Sequence, residues 1–315
     1  MTEELKVHQF RAMASPIEVQ TVLDSSQADW LFRVIETEFE ASEQSLSRFR
    51  EDSDLTQLNR RTGQFEEVSP RLYEAVSLAY RAYRLTHGLF DPRIITVLER
   101  IGYAGASVKG AGPAENPGGL GNQEWLCRKP RQRALQLLEP IDLGGIGKGL
   151  TVRRASKIAR QTGKSFLVNG GGDLYVWGPG PVDGKWSLGI ENPFTQDSLA
   201  AAIAISGGFA LCTSSTKNRH WQHGDRPVHH LIHPFTGQPG GEGLRSVTVL
   251  GRDPMWSEIF TKYLFLLGKE GISGIAKALG MTAWWIYSDG SLGMTERAVS
   301  CLTWIHQDLK VREVV

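Results

Sequence analysis

Residues 141–149 read Ile-Asp-Leu-Gly-Gly-Ile-Gly-Lys-Gly, and a helical pattern starts close behind them near Leu150. An acid, three glycines within four residues and a lysine leave little side-chain bulk, so the backbone here can approach another group closely. Amides at a helix N-terminus favour an anion, and Lys148 adds a point charge suited to phosphate. The stretch is not a P-loop, because Gly149 stands where Ser or Thr belongs, and no dinucleotide-type G-x-G-x-x-G spacing fits. By itself it suits equally a glycine-rich turn capping a helix and a cradle for an anionic ligand.

A chain of 315 residues can bury a substantial core, and 22% charged with 41% hydrophobic residues is ordinary for a soluble globular protein. A net charge of +1 makes no electrostatic case for nucleic acid or an anionic membrane surface. Cys127, Cys212 and Cys301 are too scattered for a disulfide framework or a CxxC metal site. The opening MTEELKVHQF lacks the apolar run of a signal peptide, and no stretch reaches membrane-spanning length. A soluble cytoplasmic protein is expected, or a periplasmic one if an export signal has been removed.

Residues 7–23 predict a strand interrupted at Met13-Ala14-Ser15-Pro16, followed from about Ala28 by a helix with Trp30, Leu31, Val34, Ile35 and Phe39 at helical spacing. Ser69-Pro70 is a cap and first-turn proline for a second helix, which Gly88 ends. Residues 104–122, rich in Gly and Pro, predict a flexible surface loop within a single domain spanning 1–315. A hairpin over 124–140 leads into the central motif, whose helix runs to about Gln161. Strands are expected over 165–169, 173–178, 186–191, 200–205, 209–213, 228–232 and 244–250. A helix over 254–267, a shorter one over 270–279 and strands near 282–287 and 297–304 close the chain. Strands and helices come in blocks rather than strict alternation, so the class is α+β.

Three further stretches carry chemistry. Val168-Asn169-Gly170-Gly171-Gly172-Asp173 is a looser turn than a hairpin needs, so its backbone should pack against a ligand or another segment. His220, His223, His229, His230 and His233 cluster, but adjacent His229 and His230 in a strand would face opposite ways, which argues against zinc and for one base or donor facing a site. Glu258 and Lys262 are spaced i,i+4; in isolation they read as a surface ion pair worth a few tenths of a kcal/mol.

In order along nearly the whole chain, these segments resemble the ApbE family of FAD:protein FMN transferases. The resemblance runs through Met13-Ala14-Ser15, Leu46-Ser47-Arg48-Phe49 with Ser53 to Asn59, and Gly88-Leu89-Phe90-Asp91-Pro92. It continues through Ile141 to Gly149, Val168 to Asp173, Thr213-Ser214, His230 to Gly237 and Ser246 to Val249. The resemblance implies an ApbE-like, T-fold-related α+β architecture, with mixed sheets flanked by helices and the flavin in a cleft lined by separate segments. It also implies a magnesium-dependent transfer of FMN from FAD to a Ser or Thr hydroxyl of a target flavoprotein, releasing AMP. By position His230 matches the family base and Lys148 a phosphate-facing cation. Met13, Phe49, Leu89, Phe90, Asp91, Asp142, Lys148 and Ile232 match its FAD contacts, and Gly145 a residue whose backbone oxygen faces the metal.

The chain departs from the family where that metal is expected. Aligning Tyr263-Leu264-Phe265-Leu266-Leu267-Gly268 on the family's metal helix puts Glu258 at its aspartate, Lys262 at its threonine and Thr261 at the contact just before. Arg153 and His233 each replace an aspartate. An ammonium repels Mg²⁺, so these changes predict altered metal dependence, or a weakly active or non-catalytic FAD-binding member.

Overall fold

The computed structural model describes residues 4–103, 120–121 and 123–315; the loop expected at 104–122 lies almost wholly outside them. The chain divides into two units, residues 1–39, 148–218 and 241–315 forming the first and residues 40–147 and 219–240 the second.

The first unit is built on a nine-stranded sheet. Its strands run in the order Lys6–Ala12, Ser15–Thr21, Phe166–Gly170, Asp173–Trp177, Phe209–Ser215, Leu244–Gly251, Thr282–Tyr287, Leu292–Met294 and Val311–Val314. Neighbours pair antiparallel except the last two, which are parallel. A three-stranded antiparallel sheet of Trp186–Glu191, Leu199–Ile205 and Leu302–Ile305 accompanies it. Side chains alternate across a strand, so the large sheet offers two faces. One packs Val19, Phe166 and Val168 against Leu31, Ile35 and Phe39 of the helix starting at Ser25 and against Val152 and Ala155 of the helix Gly147–Arg160. The other packs Leu174, Val176 and Ile286 against Trp186, Leu188 and Ile203 of the small sheet. Each fully buried side chain of this size contributes about 1.5–3 kcal/mol. Among the described residues no helix is long and apolar enough to cross a membrane.

The second unit holds the helices Asp54–Asn59, Pro70–Leu85 and Ile95–Arg100 and the three-stranded antiparallel sheet Glu66–Glu67, Ala134–Leu137 and Leu126–Lys129. Ser69 caps the Pro70 helix by accepting the Leu72 amide, as its sequence requires. Two hairpins complete the unit: His220–His223 with Arg226–His229, and Ile232–His233 with Gln238–Pro239. Val228 and Ile232 pack there on Val97, Leu98 and Ile101.

The class is α+β with mixed sheets, as expected, and two local expectations are corrected. Residues 297–304 are a short helix, Glu296–Val299, followed by a strand, Leu302–Ile305. The acid in its first turn and the absence of a β-branched run favour that helix start. The strand expected over 228–232 breaks at a bend, so His230 follows the strand rather than lying in it, and strand alternation does not set its direction relative to His229.

Candidate functional site

In the first unit the chemistry gathers where the helix Gly147–Arg160 meets the helix Pro254–Leu266. Asp253 starts the second helix by accepting the Met255 and Trp256 amides at 3.0 and 3.3 Å, with Pro254 in its first turn. Arg153, one of the departures from the family pattern, pairs with that same cap, its Nε 3.1 Å from Asp253 Oδ2. One turn into the helix, Glu258 is completely buried. Its Oε2 accepts the Gly149 amide at 2.8 Å, while Oε1 lies 3.1 Å from Lys262 Nζ and 3.3 Å from Lys148 Nζ. Lys148 also pairs with Asp173, which is buried with its Oδ1 lacking a hydrogen-bond partner among the described residues. The i,i+4 pair Glu258/Lys262 is therefore no surface ion pair.

Charge decides the protonation of this cluster. Burial alone would raise the Glu258 carboxyl, but Lys148, Lys262 and the Gly149 amide outweigh it and hold the group at about 2. Asp173 is pushed up, because burial and the neighbouring Glu258 charge exceed what Lys148 and Lys262 return. Asp173 went without a role in the sequence, although a lone acid opening the apolar strand Asp173–Trp177 was its signal.

Gly149 is where a P-loop carries Ser or Thr, and its surroundings explain the glycine. A Cβ there would lie 2.6 Å from the Pro254 carbonyl oxygen and 2.9 Å from both Glu258 Oε2 and Met255 Cα. The three-glycine turn likewise packs on the chain itself: a Cβ on Gly170 would meet Val152 at 2.8 Å, and one on Gly171, whose φ is +68°, would meet Ser15 at 2.7 Å. Ser15 follows Met13 and Ala14, whose φ values of 51° and 55° make the two-residue primed turn between the first two strands.

Glu258, Thr261 and Lys262 do not fit a divalent cation as they stand. Mg²⁺ requires near-octahedral oxygen ligands at 2.0–2.1 Å. Glu258 Oε1 already faces two ammonium groups and Oε2 accepts the Gly149 amide, and the Thr261 hydroxyl donates to the Glu258 carbonyl at 2.7 Å while sitting 2.7 Å from Ser214 Oγ. A dication about 4 Å from one ammonium is repelled by roughly 8 kcal/mol at an effective dielectric of about 20. Among the described residues no group of three or more His, Cys, Asp or Glu is arranged to hold a metal.

The second unit carries Phe49, Leu89, Phe90, Asp91, Asp142, Gly145, His230 and Ile232. Asp142 holds its turn in shape: Oδ1 accepts the Gly144 amide at 2.5 Å, Oδ2 lies 2.9 Å from buried Arg48 Nε, and Gly145 follows directly. The Ile141 backbone is clamped by buried Asn59, whose amide donates to its carbonyl at 2.8 Å and whose oxygen accepts its N–H at 3.0 Å. Arg48 lies 4.4 Å above the half-exposed Phe49 ring, which meets Tyr103 edge-on. Leu89 and Phe90 are buried beside Asp91. Both Asp91 oxygens engage Arg93, at 3.0 Å from Nε and 2.7 Å from Nη2, and burial pushes the Asp91 carboxyl up against that pairing. Arg48, Asn59 and Arg93 are supports that went without a role of their own in the sequence: Arg48 and Asn59 act on Asp142 and Ile141 far along the chain, whereas the spacing of Arg93 two residues after Asp91 was a local signal.

His230 Nδ1 stands 3.3 Å from the Arg219 carbonyl oxygen, and a carbonyl only accepts, so Nδ1 carries the proton. In the neutral ring the lone pair is then on Nε2, the arrangement of a general base. Ile232 is buried two residues on, and His233 Nδ1 is buried without a hydrogen-bond partner among the described residues. Burial lowers the His233 pKa.

Relatives called FAD:protein FMN transferase are 28% identical over 267 residues in Klebsiella pneumoniae strain 342 and 24% identical over 287 residues in Escherichia coli K12. These alignments cover 82% and 85% of this chain and 81% and 80% of the relatives. The fold matches the crystal structure of the ApbE protein from Thermotoga maritima with a TM-score of 0.84 at 21% identity, covering 95% of this chain and 99% of that one. The flavin transferase ApbE from Vibrio cholerae matches with a TM-score of 0.77 at 22% identity, covering 95% and 99%. The model of the ApbE family spans residues 13–285, and the chain belongs to that family.

Proposed function

We propose that this protein is an FAD:protein FMN transferase that moves FMN from FAD to a Ser or Thr hydroxyl of a target flavoprotein and releases AMP. The acceptor hydroxyl oxygen attacks the phosphorus on the FMN side of the pyrophosphate. A new P–O bond forms, and the P–O bond to AMP breaks with its electron pair leaving on AMP. His230 Nε2 takes the hydroxyl proton, and Lys148 offsets phosphate charge. Met13, Phe49, Leu89, Phe90, Asp91, Asp142 and Ile232 contribute to holding FAD. The observation that carries the reading is the His230 imidazole, whose Nδ1–H faces the Arg219 carbonyl, the tautomer that places the basic lone pair on Nε2. The like-named relatives support it over four fifths of their length.

Incubation with FAD and a peptide bearing an acceptor Ser or Thr tests this. AMP release with flavin covalently on the peptide is expected, and His230→Asn should lower the rate by about 10²–10⁴-fold while FAD still binds. FAD binding without AMP or flavinyl peptide would overturn the transferase reading. It would leave an FAD-binding protein without transferase activity, a reading favoured by the lysines that occupy Glu258.

A further inference from the structure

Around Glu258 two ammonium groups face two carboxylates, so the cluster is charge-balanced by the chain itself. Glu258 Oε1 is shared by Lys262 at 3.1 Å and Lys148 at 3.3 Å, and Lys148 bridges on to Asp173. Both lysine side chains are only 15% exposed, and Lys262 leaves the same helix as Glu258, so its ammonium is delivered to the carboxylate without a long-range tether. The opposite edge of Glu258 is closed by the Gly149 amide, which the glycine permits by letting the two helices touch. Three of the carboxylate's four acceptor sites are engaged, two of them by ammonium groups, so the two positive charges that a divalent ion would supply are already beside it.

We propose that Lys262 is a built-in cation: together with Lys148 it takes the place of a divalent metal on the Glu258 and Asp173 carboxylates, so that the pyrophosphate of a bound flavin dinucleotide is held by lysine charge without Mg²⁺. The carboxylate part of this assignment stands on the geometry alone; the pyrophosphate part rests on the proposed function. Replacing Lys262 by Met keeps an unbranched stem of similar reach and removes the charge, freeing one Glu258 lone pair for a metal. Lys262→Arg keeps the charge.

The probe is Mn²⁺, titrated into the full chain with and without FAD and followed by electron paramagnetic resonance against an FAD-only blank. The wild-type protein should bind no stoichiometric Mn²⁺ beyond the blank, Lys262→Arg should behave likewise, and Lys262→Met should gain one site. FAD affinity, read by flavin fluorescence, should change less than about twofold on adding EDTA to wild type. In Lys262→Met it should weaken about tenfold and recover with Mg²⁺. One tight Mn²⁺ per wild-type chain would overturn the proposal without any variant. So would a Lys262→Met protein that retains its circular dichroism and gains no site. Failure of wild type to bind FAD at all would remove the transferase reading and the pyrophosphate part, while the Mn²⁺ titration still decides whether Lys262 replaces a metal.

Discussion

Gly149→Ala isolates the contact that brings the central motif against the helix Pro254–Leu266. The new Cβ would lie 2.6 Å from the Pro254 carbonyl oxygen, where about 3.4 Å is ordinary contact. Backing the helices apart by the difference stretches the Gly149 N–H···Glu258 bond from 2.8 Å to roughly 3.6 Å, beyond a hydrogen bond. Losing a buried bond to a charged acceptor costs about 1.5–3 kcal/mol, and overpacking about 1–3 more. Alanine returns about 1 kcal/mol of helix propensity. The net destabilisation is about 1.5–5 kcal/mol, which for a chain of 315 residues lowers the calorimetric Tm by roughly 2–8 °C. Gly274→Ala is the control, since it sits inside the helix Gly268–Ala278 with nothing within 4 Å of its Cβ, and it should gain up to about 1 kcal/mol. A Gly149→Ala protein melting with the wild type, or Gly274→Ala falling as far, would refute the contact argument.

Two further substitutions probe the second unit. Asn59→Ala removes both partners of the buried Ile141 backbone groups and should cost about 2–4 kcal/mol in urea unfolding; a loss under about 1 kcal/mol would mean that the clamp adds little. His233 has a folded pKa lowered by burial, so below its ordinary 6.5 the unfolded chain takes up a proton that the folded chain resists. Its contribution to stability is thus present above 6.5 and lost as pH falls towards the folded value. His233→Asn should flatten the fall in Tm between about pH 7.5 and about pH 5.5, and an unchanged slope would exclude His233 as its source.

Much of this protein is legible locally. Ser69-Pro70 announces a helix start, the residues after Ala28 announce an amphipathic helix, and the break at Met13-Ala14 announces a turn, because caps, periodicity and turns are set by neighbours in the chain. The ordered motifs likewise point to the family from the order of residues alone. The Glu258/Lys262 pair shows where local reading stops. Its i,i+4 spacing is the same on a solvated face and on a buried one, and only the neighbouring helix makes the difference, through Lys148 and the Gly149 amide more than a hundred residues away in sequence. The three-glycine turn is similar: its composition demands close packing, but only the fold shows that Val152 and Ser15 meet Gly170 and Gly171. Asn59 and Ile141, 82 residues apart, carry no sign of one another. Hydrogen bonds and torsions between neighbours are written in the order of residues, whereas burial, and with it the strength of every charge, is set by what the rest of the fold brings alongside.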